Sequence, residues 1–154
     1  MEKNHDDVLF AAINDIFDRK IPFNQVLGLK VDTIGYDTVK VAFGMREELI
    51  GNYLRGTLHG GVISSVIDVT GGLAAFMGIQ KKMPGAALET KLARFGRLST
   101  IDLRVDFLRP GTGKRFVSTG YTLRTGNKVA VTRIELHNDL DELVAVGTGS
   151  YVVA

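Results

Sequence analysis

The stretch Leu58-His59-Gly60-Gly61-Val62-Ile63-Ser64-Ser65-Val66-Ile67-Asp68-Val69-Thr70-Gly71-Gly72-Leu73-Ala74-Ala75-Phe76-Met77-Gly78 decides the fold. Val62, Ile63, Val66, Ile67, Val69, Leu73, Ala74 and Phe76 cover nearly every side of a helix. A helix that is apolar all round is buried all round. A glycine pair opens it, and Gly78 predicts its end. One buried helix needs a sheet curved round it to cover its sides.

The flanks supply that sheet. Upstream, Leu29 to Gly35 and Thr38 to Gly44 read as two strands with a turn at Gly35-Tyr36-Asp37. Downstream, Ile101, Leu103, Val105 and Phe107 alternate with Asp102, Arg104 and Asp106, giving one dry and one wet face. Phe116 to Leu123, Val129 to Leu136 and Leu143 to Val152 follow as strands, the first two joined by a turn at Gly126-Asn127. Residues 1–20 carry an amphipathic helix over Asp6 to Arg19, stopped by Pro22 before a short turn at Phe23 to Leu27. Residues 21–154 form the main domain. Met45 to Leu58 reads as a long loop, and Ala86 to Phe95 as a short helix or ordered loop. The expected class is α+β, a long buried helix wrapped by a curved antiparallel sheet. One protomer leaves strand edges open, so a homodimer at minimum is expected.

Composition narrows the chemistry. The 154 residues suit one domain, and 19 basic against 17 acidic residues leave +2, too little for a nucleic-acid footprint. The absence of cysteine excludes a disulfide scaffold, a thiolate zinc site and a cysteine nucleophile. His5, His59 and His137 lack paired-ligand spacing, so no metal is indicated. The apolar run from Val62 to Met77 is too short for a membrane core and is interrupted by Asp68. The polar start Met1-Glu2-Lys3-Asn4-His5-Asp6-Asp7 lacks the pattern of a signal peptide, and the expected compartment is the cytoplasm.

Asp68 is the informative residue. No Lys or Arg occurs from Val62 through Gln80, and an ionised carboxylate buried alone is costly. It either reaches a crevice or backbone partner structurally, or it is a catalytic carboxylate in a partly dry site. Gly61, Ser64, Ser65, Asp68 and Gly72 recur at three- and four-residue steps, a small and polar stripe that admits either a ligand or a second helix. His59-Gly60-Gly61 stands at the helix start, where unpaired amides and the dipole can hold a developing oxyanion. No G-x-S-x-G elbow, Walker-type loop or dinucleotide fingerprint occurs.

Leu58-His59-Gly60-Gly61-Val62, then Asp68, then Val105-Asp106-Phe107-Leu108-Arg109-Pro110-Gly111 resemble the hotdog-fold thioesterases of the PaaI type. Asn127-Lys128-Val129-Ala130-Val131, running to Glu135-Leu136-His137-Asn138, is similar to the YigI-like branch. The resemblance spans roughly residues 20 to 154. It implies hydrolysis of acyl-CoA thioesters without a metal or other cofactor, coenzyme A being part of the substrate. It implies dimers that often pair into tetramers, with the site at the subunit interface. Asp68 would be the nucleophile or general base. Gly60 or Gly61 of the partner subunit would give the amide that polarises the carbonyl, with His59 orienting beside it. Relatives carry an Asn upstream of the His and a Ser in the next strand. Here Asn52 lies one off the expected spacing with Tyr53 in register, and Thr100 has Ser99 beside it. Ser64 and Ser65 would line the substrate path. Arg109, Arg115, Arg124 and Lys128 are candidates for the CoA phosphates, against a plain solvated sheet face. The branch suggests medium- to long-chain acyl groups, with aryl groups open. A hotdog enoyl-CoA hydratase or dehydratase, or a non-catalytic acyl-CoA binding protein, are the alternatives. The former lacks its expected Gly-His-Phe-Pro setting here.

Overall fold

The computed structural model describes residues 4–154. Met1, Glu2 and Lys3 of the polar N-terminal stretch lie outside the described residues. The chain opens with α1 (His5–Asp15), which continues as a π-helical turn (Ile16–Lys20) and then α2 (Pro22–Leu27). Strands β1 (Lys30–Thr33) and β2 (Val39–Gly44) follow, then a small hairpin of β3 (Ile50–Asn52) and β4 (Thr57–Leu58). The central helix α3 (Gly60–Lys81) leads through α4 (Leu88–Ala93) to β5 (Ser99–Phe107), β6 (Arg115–Thr125), β7 (Val129–Asn138) and β8 (Leu143–Val152). The main sheet has the order β1-β2-β6-β7-β8-β5 and every described pairing is antiparallel.

The sheet curves round α3, which packs against β2, β6, β7, β8 and β5. Phe116, Ser118, Ala130, Thr132, Ile134 and Leu136 face it from the middle strands and are fully buried. Leu9, Ile13 and Phe17 of the N-terminal helical segment join the same core.

Several sequence expectations change. The N-terminal helix does not run regularly to Arg19; it widens into the π turn, whose carbonyl at Phe17 receives the Asn24 Nδ2 amide at 3.0 Å. The expected turn at Phe23 to Leu27 is helical, because Pro22 takes the first helical position, where its missing N–H costs nothing. Gly28 closes that helix in the left-handed region at φ 70°. The loop from Met45 to Leu58 contains a 3₁₀ turn and the small hairpin. Residues Ala86 to Phe95 hold α4 and the start of a second 3₁₀ turn.

Gly78 does not end α3. A Cβ there would lie 2.5 Å from Thr125 Oγ1 and 2.9 Å from Thr122 Cγ2, so glycine is required by the approach of β6 rather than by a helix stop. The helix thus reaches 22 residues and passes the length and hydropathy of a membrane span, contrary to the shorter reading. It is 72% buried inside the fold over that window, which is what a core helix shows. The dry face expected for β5 is not dry in the protomer. Ile101 and Phe107 are exposed, while Leu103 and Val105 are half-buried. The strand is an edge, bonded only to β8, and a bulge between Thr100 and Asp102 breaks its alternation at Ile101.

Candidate active site

Gly61, Ser64, Ser65 and Asp68 of the expected stripe, with Val69 beside them, are exposed or half-buried, whereas its last member Gly72 lies in the run that is continuously buried from Thr70 to Gln80. The first four members are therefore the uncovered seam of an otherwise enclosed helix, and the fifth is not part of it. Asp68 is the last of those four.

Two hydroxyls hold the Asp68 carboxylate. Thr100 Oγ1, from β5, donates to Asp68 Oδ1 at 2.9 Å. The Tyr151 hydroxyl, from β8, donates to the Asp68 carbonyl oxygen at 3.0 Å and to Oδ1 at 3.2 Å. Thr100 and Tyr151 are direct cross-strand partners, so the register of β5 on β8 brings both to one point. Among the described residues no Lys, Arg or His forms an ion pair with Asp68. The carboxylate is oriented by neutral donors, which fix it without neutralising its charge. Burial, then the Asp68 charge and hydrogen bond, push the Tyr151 phenol far above the usual tyrosine range. It remains a proton donor at any working pH.

At the helix start, His59 is the N-cap. Its Nδ1 accepts from the Gly61 amide at 2.7 Å, satisfying one of the orphan helix donors. That engages Gly61 and leaves Gly60, whose N–H has no partner among the described residues. The Gly60 α-carbon faces the Phe107 ring, where a Cβ would meet Cε1 at 3.4 Å. Eight residues of α-helix separate Gly60 from Asp68, about 12 Å of rise. One protomer cannot aim both groups at the same carbonyl carbon.

The remaining candidates divide. Ser64 and Ser65 donate to the Gly61 carbonyl at 3.2 and 2.6 Å, so their protons stay inside the helix. Asn52 is turned into its own loop, its Oδ1 accepting from the amides of Leu54 and Arg55 at 3.2 and 3.3 Å. Tyr53 and Leu54 project into solvent from that turn. Lys128 stands in the β6–β7 turn at the same end of the sheet as Thr100, its carbonyl accepting from Val153 N at 2.9 Å. Arg109 lies beyond the other end of β5, nine residues and on the order of 30 Å from Thr100. Its guanidinium stands 3.9 Å from Glu142, and Arg115 pairs with Asp32 at 3.1 Å. Arg124 and Lys128 form no ion pair among the described residues. Tyr151 was missed from sequence. It reads there as one more inward aromatic on an apolar strand, 83 residues from the acid it touches.

A cavity of about 180 Å³ is lined by Thr100 and Tyr151, which bond Asp68, and by its chain neighbour Val69. Thr100 and Tyr151 line one end, and Phe17, Ile21, Phe23, Val69, Phe95 and Leu98 make the apolar remainder. A larger cavity of about 590 Å³ lies near the far end of α3, between Leu9, Tyr36, Gln80 and Leu88. Its helix residue Gln80 is some twelve helical residues from Asp68, about 18 Å, whereas the smaller cavity is lined by the two residues that bond the carboxylate.

Residues 55–145 match the family model of the thioesterase superfamily. The medium/long-chain acyl-CoA thioesterase YigI of Escherichia coli strain K12 is 39% identical over 141 residues, covering 92% of this chain and 91% of that protein. The chain belongs to the thioesterase superfamily. Its class of enzyme is the thioester hydrolases, and its fold is the hotdog fold of that superfamily. A solved structure from Shewanella oneidensis, described as related to the thioesterase superfamily, superposes with TM-score 0.93 at 42% identity, covering 99% of this chain and all of that one. A candidate thioesterase from Syntrophus aciditrophicus is 60% identical with TM-score 0.89, again covering 99% of this chain and all of that one. Asp68, Thr100, His59 and Gly60 all fall within the residues that match the thioesterase superfamily.

Proposed function

We propose that this thioesterase hydrolyses medium- to long-chain acyl-CoA to the free acid and coenzyme A. Asp68 supplies the anionic oxygen, and a Gly60 amide stabilises the carbonyl oxygen. The observation that carries the reading is a carboxylate with no ion-pair partner, bonded by Thr100 and Tyr151, two residues that also line a largely apolar cavity. A thioester carbonyl is electrophilic enough for an oriented carboxylate and a helix-start amide to act on it. Asp68 either attacks the carbonyl carbon directly, or takes a proton from a water whose oxygen attacks. In both routes the C–S bond breaks, the electron pair leaves on sulfur, and the thiolate takes up a proton as coenzyme A departs; direct attack leaves a mixed anhydride on Asp68, which a water then hydrolyses to the free acid and the restored carboxylate. The reading calls for no metal or other cofactor.

The 12 Å between Asp68 and Gly60 in one chain supports a site completed by a second copy. The unpaired edge of β5, with Ile101 and Phe107 exposed along it, is the surface we assign to that homodimer, which pairs further into a dimer of dimers. The phenyl and aliphatic lining of the cavity suits an alkyl chain. Of the four phosphate candidates, Lys128 and Arg124 carry no ion pair among the described residues, whereas Arg109 and Arg115 are already paired with Glu142 and Asp32.

The test is thiol release from acyl-CoA of graded chain length by the wild type and by Asp68→Asn. Turnover that peaks at medium or long chains and is lost in the variant is expected. Hydrolysis by Asp68→Asn at a comparable rate would remove the proposal. A product formed from enoyl-CoA without thiol release would instead favour a hydratase.

A further inference from the structure

We infer that Tyr151 is a positioning residue that commits one oxygen of Asp68, Oδ1, to structure and leaves Oδ2 as the oxygen that meets the substrate or its attacking water. This deepens the reading of Asp68 given above and rests on it.

The geometry at Asp68 is asymmetric. Thr100 Oγ1 and the Tyr151 hydroxyl both donate to Oδ1, at 2.9 and 3.2 Å. No described group donates to Oδ2. A carboxylate held through one oxygen presents its remaining lone pairs through the other. Tyr151 has a single phenolic proton, and it is shared between Oδ1 and the carbonyl oxygen of the same residue at 3.0 Å. One hydroxyl thus pins the side chain and the backbone of Asp68 together, which fixes the rotamer as well as the oxygen.

The molecule is built to seat that hydroxyl. A Cβ on Gly71 would lie 2.2 Å from the phenol oxygen, and a Cβ on Gly149 would lie 2.6 Å from it. These glycines come from the two elements that sandwich the ring, α3 and β8. Neither has positive φ, so backbone conformation does not require them. At Gly71 the phenol oxygen is the nearest obstacle, and at Gly149 the ring carbons Cε2 and Cζ, at 2.7 and 2.9 Å, crowd the position along with it. The ring itself is 1% exposed, and the buried Thr132 hydroxyl lies beside the phenol. Together the two glycines leave room for the phenol with its oxygen, and that oxygen is spent on Asp68.

Tyr151→Phe keeps the ring and deletes the donor. With an acyl-CoA substrate the expected result is a fall in kcat of about tenfold or more, with KM changed less than about twofold. Binding of a non-hydrolysable thioether analogue should stay at the wild-type value. An unchanged kcat in Tyr151→Phe, with Asp68→Asn inactive, would overturn this inference and spare the role of Asp68. A loss of analogue binding equal to the loss of kcat would make Tyr151 a packing residue and overturn it too. Turnover by Asp68→Asn would remove the reading beneath it.

Discussion

Thr100 on β5 and Asp68 on α3 are joined by a 2.9 Å hydrogen bond across 32 residues of sequence. The bulge immediately after Thr100 lets this edge strand turn its hydroxyl onto the helix while Asp102 resumes pairing with Ser150. Thr100→Val keeps the shape and removes the donor. A fall in kcat of about tenfold is expected, and Thr100→Ser should retain most turnover. Steady-state thiol release on the two variants decides it.

Gly60 is the first residue of α3, and His59 before it has φ −63° and ψ 137°, a conformation that a following proline accepts. Gly60→Pro therefore deletes the one open amide while the helix is kept. The variant should be folded and inactive. If each site takes Asp68 from one chain and Gly60 from the other, co-expressing Gly60→Pro with Asp68→Asn should restore about a quarter of wild-type turnover through mixed dimers. Two inactive homodimers that stay inactive when mixed would show that the site does not cross the interface.

Gly78→Ala should destabilise the protein although alanine is the better helix former. The added methyl meets Thr125 Oγ1 at 2.5 Å and Thr122 Cγ2 at 2.9 Å, both on short side chains of β6. A loss of about 1–3 kcal/mol is expected from overpacking of this kind. Urea unfolding of the two proteins measures it directly.

Tyr36 ties the turn before β2 to α1 by donating to Asp6 Oδ1. Burial, then that hydrogen bond and the Asp6 charge, push its phenol from the ordinary 10 up to about 12. Between these values the folded chain keeps a proton that the unfolded chain has lost, so stability falls as pH rises. The contribution is complete below pH 10 and gone once pH passes about 12. Comparing urea midpoints at about pH 9 and about pH 11 should show a smaller drop in Tyr36→Phe than in the wild type. Equal drops would mean that Tyr36 is not the group responsible.

The central helix and the carboxylate within it were legible because both break the statistics of their surroundings: an all-round apolar run needs a wrapping sheet, and a lone acid within it needs a reason. The partners of that acid were less so. Thr100 was reachable only through family resemblance, and Tyr151 through no local signal, since its neighbours Ser150 and Val152 make it read as an ordinary alternating strand residue. Glycines misled in a consistent way. Gly78 resembles a helix stop in sequence, yet its role is set by Thr125 on a strand that lies 47 residues later. The π turn at Ile16–Lys20 was invisible for the same reason, as it answers to Asn24 and to the Val31 amide that bonds Asp18 at 2.7 Å.

The fit of Tyr151 between Gly71 and Gly149 also constrains how such a chain can change over generations. Alanine at Gly71 meets the phenol oxygen, and alanine at Gly149 meets that oxygen and the ring carbon Cε2 at 2.7 Å, so neither glycine can gain a methyl while the tyrosine is in place. A lineage that adds a methyl at either position must first change residue 151, and the tyrosine cannot return until the glycine has. Changes at Gly71, Gly149 and residue 151 are thus ordered in time.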